Sequence, residues 1–225
     1  MKPLAYRIRP KEFKDIVGQD HLVGEKGIII KMLEQNKLFS MILYGPAGCG
    51  KTSIAEIIAN MFPLSTFSFN ASCDSKAKLK EIIDSAKFYD NIICIIDEIH
   101  RMKKDVQDFL LPFLESGTIT LIGLTTENPY RAINPAIRSR CHIYRMNEIN
   151  KDDVMSLLKR TIIKEGFNEM SDDILEYISI ASSCEIRTAL NILEIAYMLD
   201  NDDLNLVNVK ALIGKKAFLI DEKGE

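Results

Sequence analysis

A glycine-rich stretch near the start of the chain constrains the fold more than any other part of the sequence. Residues 45–52 read GPAGCGKT, which fits the pattern G-x-x-x-x-G-K-[ST]. An apolar run at 41–44 precedes it, and apolar residues at helical spacing follow it, namely Ile54, Ile57, Ile58 and Met61. The stretch therefore predicts a buried strand, a tight loop and then a helix.

The residue types of this loop suit the binding of phosphate groups. Glycines let the backbone turn sharply and approach a ligand closely, so that backbone N–H groups and the helix N-terminus point at an anion. The side chain of Lys51 is expected to reach the β- and γ-phosphates of a nucleotide, and the hydroxyl of Thr52 is expected to bind a bridging Mg²⁺ ion. We therefore predict a site for ATP and Mg²⁺ on consecutive residues: Gly45, Pro46, Ala47, Gly48, Cys49, Gly50, Lys51, Thr52 and Ser53.

An acidic pair, Asp97 and Glu98, follows the apolar run at 92–96. A run that is apolar on both faces is typical of a central strand in a parallel sheet. In a chain that already has a phosphate loop, Asp97 can hold the hydration shell of Mg²⁺, and Glu98 can polarise the water that attacks the γ-phosphate. The alternative is that the pair forms ion pairs or caps the next helix.

Strand and helix patterns alternate as far as Glu148. Further strands are predicted at 66–69, 118–124 and 142–144, and helices at 27–35, 76–88, 106–114 and 135–139. This alternation predicts an α/β fold with a parallel sheet and helices on both faces, in which the ligand lies at the carboxyl ends of the strands. Residues 1–26 read as an extended basic segment that leads into a turn.

From Asn150 onward the apolar spacing indicates helices only. We therefore predict a nucleotide-binding α/β domain at 1–148, a small all-helical domain at 149–214 and a charged tail at 215–225.

Length and composition limit the classes of protein to which this chain can belong. With 225 residues, 47% apolar and 27% charged, the chain can build a sizeable core. The net charge of −3 means that any contact with DNA has to come from a local patch, for which Arg101, Lys103 and Lys104 are candidates and a solvated helix start is the alternative. The sequence shows no secretory signal or membrane span, and its five cysteines are scattered, so we expect a cytosolic protein without disulfides or zinc.

Taken together, these patterns resemble an AAA+ ATPase of the clamp-loader group, and most closely the replication-associated recombination protein A family (RarA, also called MgsA). The resemblance covers essentially the whole chain and implies that the small helical domain is the lid of such an ATPase. It rests on the following stretches: 3–5 with 9–10, 18–22, 40–43, 97–101, 117–119 and 125–129.

The resemblance also implies roles that the residue types alone do not. Thr126 matches the first sensor, which reads the γ-phosphate and places water, and Arg140 matches the arginine finger that reaches a neighbouring subunit's ATP. Arg187 matches the second sensor of the lid, and the segments Arg9-Pro10 and Ile16-Val17 match the part that covers the adenine. The expected catalytic residues are therefore Glu98, Lys51, Thr126, Arg140 and Arg187, with Thr52 and Asp97 as the metal ligands.

We therefore expect a DNA-dependent ATP hydrolase that acts in replication-fork maintenance and in recombination or repair. It would remodel DNA or replication proteins at forks or at single-strand to double-strand junctions. The expected partners are DNA, single-strand-binding protein or clamp machinery, and the expected location is cytoplasmic and nucleoid-associated.

The family usually continues past the equivalent of residue 225 into a tetramer-forming helical domain. The chain is therefore expected to be an ATPase core that needs a neighbouring subunit. The alternatives are a clamp-loader subunit, a branch-migration motor or a non-hydrolysing ATP switch, and the intact set of catalytic residues argues against the last.

Overall fold

The computed structural model describes residues 2–86, 88–89, 91–199 and 204–221. The chain divides into two compact units, each described here by itself. An α/β unit comprises residues 10–148, and a helical unit comprises residues 149–225 together with residues 1–9.

The α/β unit is built on one parallel sheet in the order β2-β3-β4-β1-β5. Its strands are β1 Met41–Tyr44, β2 Ser65–Asn70, β3 Ile92–Asp97, β4 Ile119–Thr125 and β5 His142–Arg145. The central strand β4 is buried along its whole length, because its residues are covered on both faces. The parallel sheet predicted from the alternating patterns is confirmed.

Helices occupy most of the remaining chain. In chain order they are α1 Leu4–Arg7, α2 Asp20–Val23, α3 Ile28–Glu34, α4 Lys51–Asn60, α5 Lys76–Ala86, α6 Lys104–Glu115, α7 Pro129–Ala132, α8 Pro135–Arg138, α9 Lys151–Glu165, α10 Asp172–Ala181, α11 Ile186–Ala196 and α12 Leu206–Asp221. Two 3₁₀ turns lie at Phe13–Asp15 and Ile99–Arg101.

Strand order determines which face of the sheet each connecting helix covers. The chain moves across the sheet in one direction from β1 to β2 and in the other direction from β2 to β3, β4 and β5. Because parallel crossovers are right-handed, α4 packs on one face and α5, α6, α7 and α8 pack on the other. On the second face, Leu79, Ile83, Leu110 and Ile137 join the buried side chains of the strands in one core.

The helical unit includes the N-terminal segment. Leu4 is fully buried, and its backbone N–H donates to the Glu194 carboxylate on α11. Arg7 forms ion pairs with Glu165 at the end of α9 and with Glu194. The structure therefore differs from the predicted boundary, because these contacts attach residues 1–9 to the helical unit and form a helical turn, α1, where an extended segment was predicted.

The C-terminal prediction also differs from the structure. A helix end was expected at Gly214, followed by a charged tail, whereas α12 continues to Asp221. A glycine inside a helix costs only about 1 kcal/mol relative to alanine, and the next residues, KKAFLI, are compatible with a helix. Residues 222–225 of the predicted tail lie outside the described residues.

Within the described part of the chain, the structure contains no helix with both the length and the apolar character needed to cross a membrane.

Candidate nucleotide-binding site

The loop between β1 and α4 has the backbone geometry of a ligand cradle. Gly48 and Gly50 have φ angles of 72° and 96°, in the left-handed region that favours glycine. At Gly45, an added Cβ would lie 2.7 Å from the Met146 carbonyl oxygen, so no other residue fits there without a shift of the backbone. The Gly45 N–H donates to the Thr125 carbonyl at 3.2 Å, which ties the start of the loop to the end of β4.

Lys51 places a positive charge inside this loop. It is the first residue of α4 and only 9% exposed, and its Nζ donates to the carbonyls of Gly45 at 2.8 Å and Pro46 at 2.6 Å. The Cys49 sulfur lies 3.9 Å from the same Nζ. Burial raises the pKa of the Cys49 thiol, with Lys51 opposing the shift, so Cys49 is a small buried residue of low reactivity.

Two oxygen donors beside the loop suit a magnesium ion. Thr52 is half-buried in the first turn of α4, and Asp97 is the last residue of β3, where its Oδ1 accepts the Glu98 N–H at 3.0 Å. Mg²⁺ prefers such oxygens and usually takes its remaining ligands from water and substrate phosphates. The described residues contain no group of three or more histidine, cysteine, aspartate or glutamate side chains that could hold a metal ion by themselves.

Glu98 has an unusual backbone. Its φ of 53° and ψ of 39° lie in the left-handed region, which for a residue other than glycine costs roughly 1–3 kcal/mol and is found most often at functional sites. Its carboxylate is 29% exposed and lies 3.2 Å from the His100 Nε2 and 3.8 Å from the Arg101 Nε. The carboxylate is therefore oriented by neighbours and still open to solvent.

The strands bring most of the predicted residues to one edge of the sheet. Tyr44 is paired with Thr125, and Ile96 is paired with Gly123, so β1, β3 and β4 end side by side. The loop follows β1, the acidic pair ends β3, and the exposed Thr126 follows β4.

Arg140 does not lie at that edge. It precedes β5, whose first residue pairs with the first residue of β1, so Arg140 lies at the amino edge of the sheet. Its guanidinium donates to the Ala136 carbonyl at 2.7 Å and forms an ion pair with Glu115.

The remaining predicted residues are divided between the two units. Pro10, Ile16 and Val17 are half-buried in the α/β unit. Arg9 and Arg187 belong to the helical unit. Arg187 is exposed in the first turn of α11. Ser183 and Cys184, shortly before this helix, have positive φ angles.

Residues 41–148 match the model of the ATPase family associated with various cellular activities (AAA). The α/β unit of the chain belongs to this family of ATPases. The matched range includes β1, the phosphate loop, the acidic pair and Thr126, and it ends where the α/β unit ends.

The chain is also similar to curated proteins over most or all of its length. The replication-associated recombination protein A of Bacillus subtilis is 41% identical, with 100% of this chain and 56% of the relative covered. The Escherichia coli protein of the same name is 32% identical, with 100% of this chain and 54% of the relative covered. ATPase WRNIP1 of Dictyostelium discoideum is 36% identical over 89% of this chain and 24% of its own length. The chain thus spans about half the length of the two bacterial relatives.

Among solved structures, the fold is similar to that of Thermotoga maritima RuvB, a Holliday junction branch migration motor. The two superpose with a TM-score of 0.78 over 92% of this chain and 72% of that one. Because the sequence identity is 22%, this similarity concerns the fold of the AAA chain and not its substrate.

The AAA domain also uses residues that the sequence did not single out for the site. Gln19 is 1% exposed; its amide nitrogen donates to the carbonyls of Cys49 at 3.4 Å and Asn147 at 3.0 Å, and its oxygen accepts the Asn147 N–H at 2.9 Å. His100, in the 3₁₀ turn that follows the acidic pair, contacts both Glu98 and Thr125. Gln19 falls in a stretch that carries the family resemblance, but neither residue has a local pattern that indicates its contacts.

Proposed function

We propose that the chain is the ATPase core of a protein that hydrolyses ATP, in a DNA-dependent manner, to act on DNA or replication proteins in fork maintenance, recombination and repair. The observation that carries the ATPase chemistry is the partly exposed Glu98 carboxylate, on the same edge of the sheet as the phosphate loop. The names of the bacterial relatives support replication and recombination as the setting.

In this proposal each predicted residue has a defined task. The backbone of the loop and Lys51 bind the phosphates, and Thr52 and Asp97 would hold Mg²⁺, which would neutralise phosphate charge when bound. Glu98 polarises the attacking water, and Thr126 senses the γ-phosphate. Arg9, Pro10, Ile16 and Val17 are the residues proposed to cover the adenine, and Arg187 is the proposed second sensor.

The register of β5 supports a role for Arg140 in a neighbouring subunit. Arg140 precedes a strand of four residues that runs parallel to β1, whereas the phosphate loop follows β1. At about 3.3 Å per residue, the strand alone separates Arg140 from its own loop by about 13 Å along the sheet. An arginine at this position suits an adjacent nucleotide better than its own.

The proposed partners follow from charge and from the relatives. Arg101, Lys103 and Lys104 are exposed just beyond the acidic pair and form the proposed DNA contact. Single-strand-binding protein or clamp machinery, self-association of a longer form and association with the nucleoid belong to the same proposal.

The test compares Glu98→Gln with Lys51→Ala, measuring ATP turnover and ATP binding with and without forked DNA. Loss of a general base should cut turnover by roughly 10² or more while ATP binding persists. Lys51→Ala should weaken ATP binding itself, because it removes the charge inside the loop. Glu25→Gln, which changes an exposed glutamate away from the site, is the control.

Normal turnover by Glu98→Gln would contradict the catalytic assignment. A parent chain that binds ATP but shows no turnover at any concentration, with or without DNA, would instead favour the alternative of an ATP switch.

A further inference from the structure

A buried histidine links the ends of the two strands that carry the catalytic candidates. The side chain of His100 is 7% exposed. Its Nδ1 lies 2.9 Å from the Thr125 Oγ1 at the end of β4, and its Nε2 lies 3.2 Å from a Glu98 carboxylate oxygen at the end of β3. The more exposed Glu127 carboxylate lies 3.6 Å from the same Nε2.

The hydrogen bonds of Thr125 determine which ring nitrogen carries the proton. The Thr125 Oγ1 accepts the Glu127 N–H at 3.0 Å, and its single hydrogen can go either to the His100 Nδ1 at 2.9 Å or to the Glu127 carbonyl at 3.3 Å. The shorter distance favours the ring. A neutral imidazole that accepts at Nδ1 carries its hydrogen on Nε2, and this N–H then donates to Glu98.

The opposite tautomer does not suit this geometry. If Nδ1 carried the hydrogen, a neutral ring would present the lone pair of Nε2 to the Glu98 carboxylate, and two acceptors would face each other at 3.2 Å.

We propose that His100 is a positioning residue that holds the Glu98 carboxylate through Nε2–H, with Thr125 fixing the ring and its tautomer. This proposal rests on the proposed function, in which Glu98 polarises water. It adds a physical link between β4, whose end carries the sensor candidate Thr126, and the general base at the end of β3. A shift at the end of β4 would therefore move the Glu98 carboxylate.

Two substitutions separate positioning from simple structural support. In His100→Gln the side-chain amide nitrogen reaches approximately the position of Nε2, whereas in His100→Asn it reaches only the position of Nδ1. His100→Asn should lower kcat roughly 10- to 100-fold, the size of effect that follows from misplacing a reacting group by about 1 Å, with the KM for ATP little changed. His100→Gln should restore most of the loss.

A double-mutant cycle adds a second criterion. In the Glu98→Gln background, His100→Asn should cause little additional loss, because the group it positions is already gone. Equal losses in the Asn and Gln variants, a change in KM instead of kcat, or a full additional loss in the Glu98→Gln background would each overturn the proposal.

The tautomer can be measured without nucleotide or turnover. Long-range ¹H–¹⁵N correlation spectra of the neutral ring, assigned with His100→Asn, should place the hydrogen on Nε2. Thr125→Val should weaken that preference, because valine keeps the shape of threonine and loses its hydroxyl. A hydrogen on Nδ1 in the parent chain would overturn the proposal. This failure is distinct from failure of the proposed function, which would appear as normal turnover by Glu98→Gln.

Discussion

Among single residues, Gln19 is a buried side chain that holds the phosphate loop by a hydrogen bond to its backbone. Its amide forms three hydrogen bonds with backbone groups on two separate segments, the loop at Cys49 and the segment that follows β5 at Asn147. Because Gln19 is 1% exposed, water cannot replace these bonds if the side chain is removed. The shape of the loop therefore depends on a side chain that lies outside the loop.

We predict that Gln19→Leu will lower the free energy of unfolding by about 1–3 kcal/mol, because it leaves backbone groups buried without partners. ATP binding should also weaken, since the Cys49 carbonyl is no longer held. Urea unfolding and ATP titration measure the two effects. Gln35→Leu, at an exposed position, is the matched control, and equal effects of both substitutions would contradict this role of Gln19.

The residues with direct chemical roles were more accessible to sequence analysis than those that support them. The phosphate loop and the pair Asp97-Glu98 lie in contiguous segments whose chemistry is evident from their residue types. Gln19 and His100 act through contacts with residues 128 and 25 positions away, and no local pattern encodes such contacts. The arginine roles came from resemblance alone, because an exposed arginine has no sequence signature of its own.

At the scale of elements, α1 contributes to the helical unit despite having only four residues. An isolated helix of this length is unstable, so its geometry depends on packing. Leu4 supplies a fully buried side chain, and Arg7 supplies the ion pairs with Glu165 and Glu194.

We predict that Leu4→Ala will destabilise the helical unit by about 2–5 kcal/mol, the usual cost of truncating a buried leucine. Faster amide hydrogen exchange in α11 would report the loss, because α1 packs against that helix. Tyr6→Ala, on the exposed side of α1 at 56% exposure, is the control. Unchanged exchange in Leu4→Ala would mean that the N-terminal segment does not stabilise this unit.

The beginning of α6 carries the proposed DNA contact. Arg101, Lys103 and Lys104 are exposed, and the next residue, Asp105, is engaged by Lys76, whose hydrogen bond holds the pKa of Asp105 below its usual value. The aspartate is thus already neutralised in part by a partner outside the patch.

We predict that replacing Arg101, Lys103 and Lys104 with alanine will weaken DNA binding. The slope of the logarithm of the binding constant against the logarithm of the salt concentration should fall by roughly one unit for each phosphate that the patch no longer neutralises. Affinity measured over a range of salt concentrations tests this. The triple substitution Lys11→Ala, Lys26→Ala and Lys37→Ala makes the same change of net charge at other exposed positions. An unchanged salt slope in the first variant, or the same change in both, would make the patch an ordinary solvated surface.

The elements that periodicity could predict are those long enough to show it. The strands of the sheet have clear apolar patterns and lie close to their predicted bounds. The helices predicted from Asn150 onward include α9 and α11, which also have clear apolar patterns. The single-turn helices α1, α2 and α7 are too short for a pattern and depend on tertiary contacts or a proline start. The end of α12 lies beyond the predicted end at Gly214, because a glycine lowers helix stability without ending every helix.

At the scale of the whole molecule, assembly is expected to control turnover. The chain spans about half the length of its bacterial relatives. We predict that this chain binds ATP as a monomer and turns it over slowly, with activity per chain rising as the protein concentration rises. Turnover that stays constant per chain down to the monomer would contradict a requirement for a neighbour.

Arg140→Ala should abolish that rise and spare ATP binding, because a finger that stabilises transition-state charge supplies about 10³ to 10⁵ in rate. Arg131→Ala, an exposed arginine on α7, is the control of equal charge. The decisive experiment mixes Arg140→Ala with Glu98→Gln in an assembled longer form. A Glu98→Gln subunit still has its arginine and can lend it to the intact catalytic glutamate of an Arg140→Ala neighbour, so part of the activity should return. If mixed assemblies form and no activity returns, Arg140 does not act on the adjacent site, and its ion pair with Glu115 is then its role in the fold.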